Sequence, residues 1–115
     1  MLRKENRLQK NRHFQYIYKK GDKVYSKNLF VVFVATKMKK PKIGFVVNNK
    51  IGDAIVRNKV KRRLREIIRL NIDNINSKYN YVIFAKSGIE NLEYEELSHE
   101  VMKCFTKGNL INEGN

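Results

Sequence analysis

Seven cations crowd residues 57–69: Arg57, Lys59, Lys61, Arg62, Arg63, Arg65 and Arg69, with Glu66 the one acid among them. Read as a helix at about 100° per residue, the segment divides into two arcs. Val56, Val60, Leu64, Ile67 and Ile68 share one, suited to a domain core. Arg57, Asn58, Lys61, Arg62, Arg65 and Arg69 share the other. Guanidinium groups grip phosphate oxygens two at a time, and an asparagine among them can hydrogen-bond to sugars or base edges. Solvated helix faces usually mix charge signs, and this one does not. A membrane-surface helix would carry bulky Trp, Phe or Leu on its apolar side, where this arc is Val, Ile and Leu. The chemistry indicated is a phosphate track. Three aromatic side chains, Phe14, Tyr18 and Phe33, could stack on unpaired bases. The spacing of Phe14 and Tyr18 serves core packing equally well.

Catalytic constellations are missing. There is no Cys/His pair, HxxxH, Walker loop or GxSxG. The acids of the basic region, Asp22, Asp53, Glu66 and Asp73, form no D-x-D or E-x-x-D cluster for a catalytic Mg²⁺. A protein-only nuclease would need carboxylates that converge only in the fold. Cys104 is the single cysteine, so no internal disulfide can form, which suits a reducing compartment. His13 and His99 have no ligand or catalytic partners nearby in sequence and read as surface residues. No apolar run approaches the roughly 20 residues of a membrane span, and the basic N-terminus lacks a signal peptide's apolar segment. The expected location is the cytoplasm.

The 115 residues suit a single domain spanning 1–115, with 42% apolar residues arguing against disorder. The net charge of +14 and pI near 10.0 point to a polyanionic partner. Charge is unevenly placed: residues 1–86 hold 23 basic and 5 acidic side chains, residues 87–115 hold 2 and 6. The basic surface therefore belongs to the first three quarters of the chain.

The elements that must position these residues follow from periodicity. Residues 1–10 read as an irregular basic arm. Asn11 to Lys20 reads as a short helix, capped by Asn11 and closed by Gly21. Leu29 to Ala35 and Ile43 to Val47 are β-branched and aromatic runs joined by TKMKKPK, and are expected to form a β-hairpin with a solvated basic loop. A shorter strand around Lys23 to Ser26 precedes them. In these runs both alternating faces are apolar, so the sheet is covered on both sides or offers a partly apolar groove. The basic helix follows. Asn71 to Lys78 reads as a loop, Tyr79 to Lys86 as a strand, and Leu92 to Lys107 as a helix burying Tyr94, Leu97, Val101 and Phe105. Glu93, Glu95 and Glu96 suit that helix's N-terminal dipole. Residues 108–115 read as a frayed tail. No internal repeat is present. The expected class is α+β, helices layered on a small sheet.

These residues resemble a family. Gly52-Asp53-Ala54-Ile55-Val56-Arg57-Asn58-Lys59-Val60-Lys61-Arg62 resembles the arginine-asparagine-arginine signature of the bacterial ribonuclease P protein subunit. Arg7-Leu8-Gln9-Lys10-Asn11-Arg12-His13-Phe14 with Tyr18 and Lys19-Lys20-Gly21 resembles that family's N-terminal segment. Phe30-Val31-Val32-Phe33, Ile43-Gly44-Phe45-Val46-Val47, Tyr81-Val82-Ile83 and Tyr94-Glu95-Glu96-Leu97 match its strands and last helix, in order.

The resemblance implies a two-layer α/β sandwich in the order α-β-β-β-α-β-α, like domain 2 of ribosomal protein S5. It also implies a left-handed β-α-β crossover, where general sheet physics favours the right-handed form at about 98%. It implies a catalytic RNA subunit that uses Mg²⁺ to remove the 5′ leader of precursor tRNA, this chain being an accessory subunit to which no metal site is assigned. Arg57, Asn58, Lys59, Lys61, Arg62, Arg65 and Arg69 would face the RNA subunit. Phe14, Tyr18, Val31 and Phe33 would line a cleft for the single-stranded leader, with Lys50 at its edge. No membrane or protein partner is implied.

Three positions depart from the family pattern. Lys59 replaces the signature's second arginine, Asn48-Asn49-Lys50 stands where a serine and two lysines are usual, and Arg63 takes a usually apolar position, its stem expected along the core edge. The other functional class compatible with these residues is a ribosomal or general structural RNA-binding protein.

Overall fold

Side-chain alternation along four strands decides where everything else sits. The computed structural model describes residues 6–8 and 11–112. Its elements are α1 (Asn11–Lys20), β1 (Asp22–Tyr25), β2 (Leu29–Ala35), β3 (Ile43–Val46), α2 (Ala54–Asn71), β4 (Tyr79–Ala85) and α3 (Tyr94–Lys107). This is the expected α+β order around one four-stranded sheet. The proposed cap at Asn11 rests on a side chain outside the described residues. So do residues 1–5 and 9–10 of the expected arm and 113–115 of the expected tail.

The strand order is β1-β2-β4-β3, with β2 antiparallel to both β1 and β4, and β3 parallel to β4. The hairpin expected between residues 29–35 and 43–47 therefore does not form, because β4 lies between them. The hairpin is β1–β2. β4 takes the inner position because Tyr81, Val82 and Ile83 are buried to 0% exposure on alternate faces, and only a strand flanked and covered on all sides can desolvate such a run. Residues 36–42 bridge the two strand spacings, about 10 Å, by pinning to the start of β4. Thr36 N–H donates to the Lys78 carbonyl (2.8 Å), Lys42 N–H to Asn80 Oδ1 (2.9 Å), and Tyr81 N–H to the Lys42 carbonyl (2.9 Å).

On one face Leu29, Val31, Ile43, Tyr81 and Ile83 meet Val60, Leu64, Ile67 and Ile68 of α2 and Leu97, Val101, Cys104 and Phe105 of α3. The apolar arc of α2 is thus its core-facing side. On the other face Val32 and Val82 are covered by Ile17 of α1 and by Leu8, with Phe14, Phe30, Val34, Val46 and Phe84 packed around them.

The described residues near each end are more tied down than their composition suggests. Arg7 bridges to Ile43, and Asn6 Nδ2 donates to the Pro41 carbonyl at 2.9 Å. Residues 108–112 are docked, not frayed: Leu110 is buried, Ile111 bridges to Ile75, and Asn112 N–H donates to the Asn74 carbonyl at 2.7 Å. The segment expected as a plain loop, 71–78, holds a helical turn (Ile72–Asn74) and buries Ile75. Two apolar residues in polar surroundings, Leu110 and Ile75, anchor these stretches to each other.

Candidate nucleic-acid interface

α2 begins where the chemistry requires it. The Asp53 carboxylate accepts from Val56 N–H (3.0 Å) and caps the helix. Gly52 before it has φ 156°, and a Cβ there would lie 2.9 Å from a Val56 methyl, so a side chain at this position would push against the helix's first turn. Arg57 folds back over this entry, its Nε donating to the Gly52 carbonyl at 3.1 Å. Asn58, Lys59 and Arg62 project into solvent, whereas Lys61 and Arg65 are half-buried along their stems. Arg65 Nε is buried with no hydrogen-bond partner.

Two more cations of the stretch are engaged within the protein. Arg69 forks onto Glu66, Nε to Oε1 at 2.9 Å and a terminal nitrogen to Oε2 at 2.8 Å. These hydrogen bonds hold the Glu66 carboxyl below its ordinary range. Arg63 donates to the Leu92 carbonyl at 3.1 Å and ties α2 to the segment before α3. Arg69 is therefore the least available of the seven residues assigned to the phosphate track.

The aromatic residues are divided by the sheet. Phe14 and Tyr18 lie on α1 and face Phe30, Val46 and Phe84. Val31 and Phe33 point to the opposite face: Val31 is buried against α2 and α3, and the Phe33 ring meets Tyr79 edge-on at 5.3 Å. They cannot share a cleft with Phe14 and Tyr18. The reason is parity. A strand's side chains alternate with period 2, so an assignment one residue off exchanges the faces completely. With both faces of Leu29–Ala35 apolar, alternation alone could not choose between them.

The groove that does form beside α1 is lined by Phe14, Gln15, Tyr18, Lys19, Phe30 and Phe84, with Val46, Asn48 and Ala85 along its far side. Of these, sequence reasoning found Phe14 and Tyr18 and missed Phe30, Val46 and Phe84. A weak signal was present: Asn80, the one polar residue inside β4's apolar run, belongs to the groove-side face. Tyr18 meets the Phe84 ring edge-on at 5.5 Å, and Lys23 Nζ sits 4.2 Å from the centre of the Tyr18 ring. Tyr18 is 47% exposed. Phe14 has a second role, since its ring lies over Gly44, where an added Cβ would come within 2.3 Å of it. It both lines the groove and seats α1 on β3.

Lys50 is exposed in the helical turn between β3 and α2, its N–H donating to Asn48 Oδ1 at 3.0 Å. Asn48 thus lines the groove and caps the turn leading to the basic helix, joining the two surfaces. A larger hollow lies between α3 and the β1–β2 turn, but its Glu100 carboxylate is already used by Ser26 Oγ (2.8 Å) and Asn28 N–H (2.6 Å). His13 and His99 are exposed, on different helices. Among the described residues no group of three His, Cys, Asp or Glu side chains could hold a metal ion, and no helix is long and apolar enough to cross a membrane.

Comparison with known proteins gives a consistent result. The profile of the Ribonuclease P family matches residues 2–109. The ribonuclease P protein component of Fusobacterium nucleatum is 36% identical over 110 residues, covering 92% of this chain and 99% of that protein. That of Finegoldia magna is 38% identical over 104 residues, covering 90% and 91%. Among solved structures, the Staphylococcus aureus RNase P protein superposes with a TM-score of 0.87 at 26% identity, covering 93% of this chain and 98% of that one. The Thermotoga maritima RNase P protein gives 0.82 at 27% identity, covering 94% and 98%.

Proposed function

Since the chain belongs to the ribonuclease P protein family, we propose that it binds a catalytic RNA through α2 and holds the single-stranded 5′ leader of precursor tRNA in the groove beside α1. The hydrolysis itself is assigned to the RNA and its Mg²⁺, in the cytoplasm. The protein's contribution is then positional: it adds binding energy for a substrate segment remote from the scissile bond.

The observation that carries this reading is the junction at Asn48. A groove lined by aromatic rings, of the kind that accepts unpaired bases, runs into the turn that opens the cationic helix. Arg57, Asn58, Lys59, Lys61, Arg62 and Arg65 then supply the phosphate contacts to folded RNA, with Arg69 held back by Glu66. Lys50, exposed in the same turn, stands where the two surfaces meet.

Reconstitution tests the proposal. Purified protein added to its cognate RNA at low Mg²⁺ should stimulate cleavage of precursor tRNA, and an absence of stimulation would overturn it. A general structural RNA-binding protein would bind precursor and mature tRNA complexes alike, whereas a leader-holding subunit favours the leader-bearing substrate.

A further inference from the structure

The groove beside α1 is one end of a longer feature. Tyr25 of β1 is the register partner of Phe30, Phe30 of Phe84, and Phe84 of Val46. Cross-strand partners project from the same face, so these four side chains form a single row across all four strands, about 14 Å from β3 to β1 at the usual strand spacing. The rings are in contact along it: Phe30 and Phe84 are parallel with centroids 4.7 Å apart, and Tyr25 lies tilted on Phe30 at 5.3 Å. α1 covers the neighbouring row, Val32 and Val82, and borders this one through Phe14 and Tyr18, leaving Phe30 and Phe84 half-buried. Single exposed apolar residues need no explanation, but Tyr25 is 54% exposed at the end of a continuous aromatic row.

The groove-side face of β1 and the turn that follows Tyr25 carry lysines. Lys86 Nζ donates to the Ser26 carbonyl (3.0 Å), which fixes that ammonium group at the turn after Tyr25 with donors to spare, while Lys107 Nζ reaches the Tyr25 carbonyl (3.3 Å) from α3 on the other side of the sheet. Lys23 lies on the same face of β1 and Lys27 is exposed in the adjoining turn. The acids near this turn, Glu95, Glu96 and Glu100, belong to α3 and line the hollow on its side of the sheet, where Glu100 is occupied by Ser26 and Asn28.

The geometry points to a distal stacking subsite at Tyr25: the single strand held beside α1 continues over the Phe30–Phe84 stack, and a base further from the tRNA body stacks on Tyr25 with its phosphates beside Lys23, Lys27 and Lys86. This rests on the leader reading and extends it to a residue outside the groove. Continuity with the groove and charge complementarity both favour a nucleic-acid strand over a second copy of this chain. β1 is only four residues long and carries Asp22 and Lys23, features that discourage edge pairing.

The test is a leader-length series bound to the reconstituted holoenzyme, with wild-type protein, Tyr25→Ala and Tyr25→Phe. Tyr25→Ala should lower affinity roughly 5- to 100-fold for long leaders and leave leaders too short to reach β1 unaffected, with Tyr25→Phe close to wild type. Equal affinity of wild type and Tyr25→Ala at every length overturns the subsite, as does a uniform loss that includes leaderless substrate. A self-association of the wild-type protein that Tyr25→Ala abolishes would assign the ring to a protein contact and also overturn it. If wild-type holoenzyme itself ignores leader length, the leader reading has failed, a result distinguishable from loss of the distal step alone.

Discussion

Phe30 and Phe84 face each other across the β2–β4 ladder with ring planes 2° apart and centroids 4.7 Å apart. A parallel pair on a sheet surface presents a flat apolar platform, and Tyr18 closes one side of it from α1. That platform lies on the face opposite the α2–α3 core, so the side chains that stabilise the domain and those available to a ligand are largely separate. Substitutions can therefore address one without the other.

Phe84→Ala should weaken binding of leader-bearing precursor by about 1–3 kcal/mol, the usual worth of a base on an aromatic ring. Leaderless substrate should be unaffected. Titrations of both substrates with the reconstituted holoenzyme measure the difference, and an equal loss for both would remove the platform from the leader path.

Val31→Ala is expected to behave in the opposite way. Val31 is fully buried between the sheet and the two C-terminal helices, and deleting its methyl groups should cost about 2 kcal/mol of stability. Discrimination between leader-bearing and leaderless substrate should survive at temperatures where the variant is folded. Loss of that discrimination with unchanged stability would contradict the face assignment.

Gly44→Ala tests how α1 is held. The new methyl group would collide with the Phe14 ring, so α1 must shift or the ring must leave its seat. Overpacking of this kind costs about 1–3 kcal/mol. Thermal denaturation should show the loss, and leader affinity should fall with it because Phe14 and Tyr18 move together on one helix.

On α2 the prediction is a contrast. Arg62→Ala should lower the slope of log affinity against log salt for the RNA subunit by about one, as expected for a lost phosphate contact. Arg69→Ala should change it less, because Glu66 already holds that guanidinium. Glu66→Gln should strengthen RNA binding by releasing Arg69. Filter binding across a salt series distinguishes these outcomes, and identical slopes for all three variants would place this part of α2 off the RNA.

Cys104 gives a pH dependence. Its thiol is buried on α3, with Sγ 3.4 Å from the Val24 carbonyl, and desolvation pushes it up to about 11 from an ordinary value near 9.0. The unfolded chain therefore loses this proton at lower pH than the folded chain. The stabilisation is fully present below pH 9 and is lost as pH rises towards 11. Burial raises the Tyr81 phenol as well, which adds to the decline above its ordinary value of 10.0. Denaturation midpoints measured from pH 8 to 11 should fall, with a shallower fall for Cys104→Val. The native thiol should also resist alkylation at pH 8.

Most of the fold was legible because hydrophobic periodicity is local. The ends of β2, the apolar arc of α2 and the stripe of α3 follow from residues a few positions apart. What periodicity could not provide was pairing and parity. The seven residues after Ala35 suit a hairpin loop, and nothing within them reveals that β4 will insert. Val31 and Val32 are chemically identical neighbours, so the groove face had to come from three-dimensional packing. The partial engagement of Arg69 was similarly hidden, although Glu66 three residues earlier is within helical reach. The cationic character of α2 needed no fold to be recognised, because seven charges in thirteen positions survive any change of boundary.

The most direct measurement is a crosslink from the leader itself. Precursor tRNA carrying a photoreactive uridine in its 5′ leader is bound to the holoenzyme, irradiated and digested, and the modified peptides are identified. Crosslinks should fall on α1 at Phe14–Lys19 and on the Phe30 and Phe84 segments of β2 and β4. Crosslinks confined to α3, or to the side of the sheet that carries Phe33 and Tyr79, would contradict the proposed path of the leader.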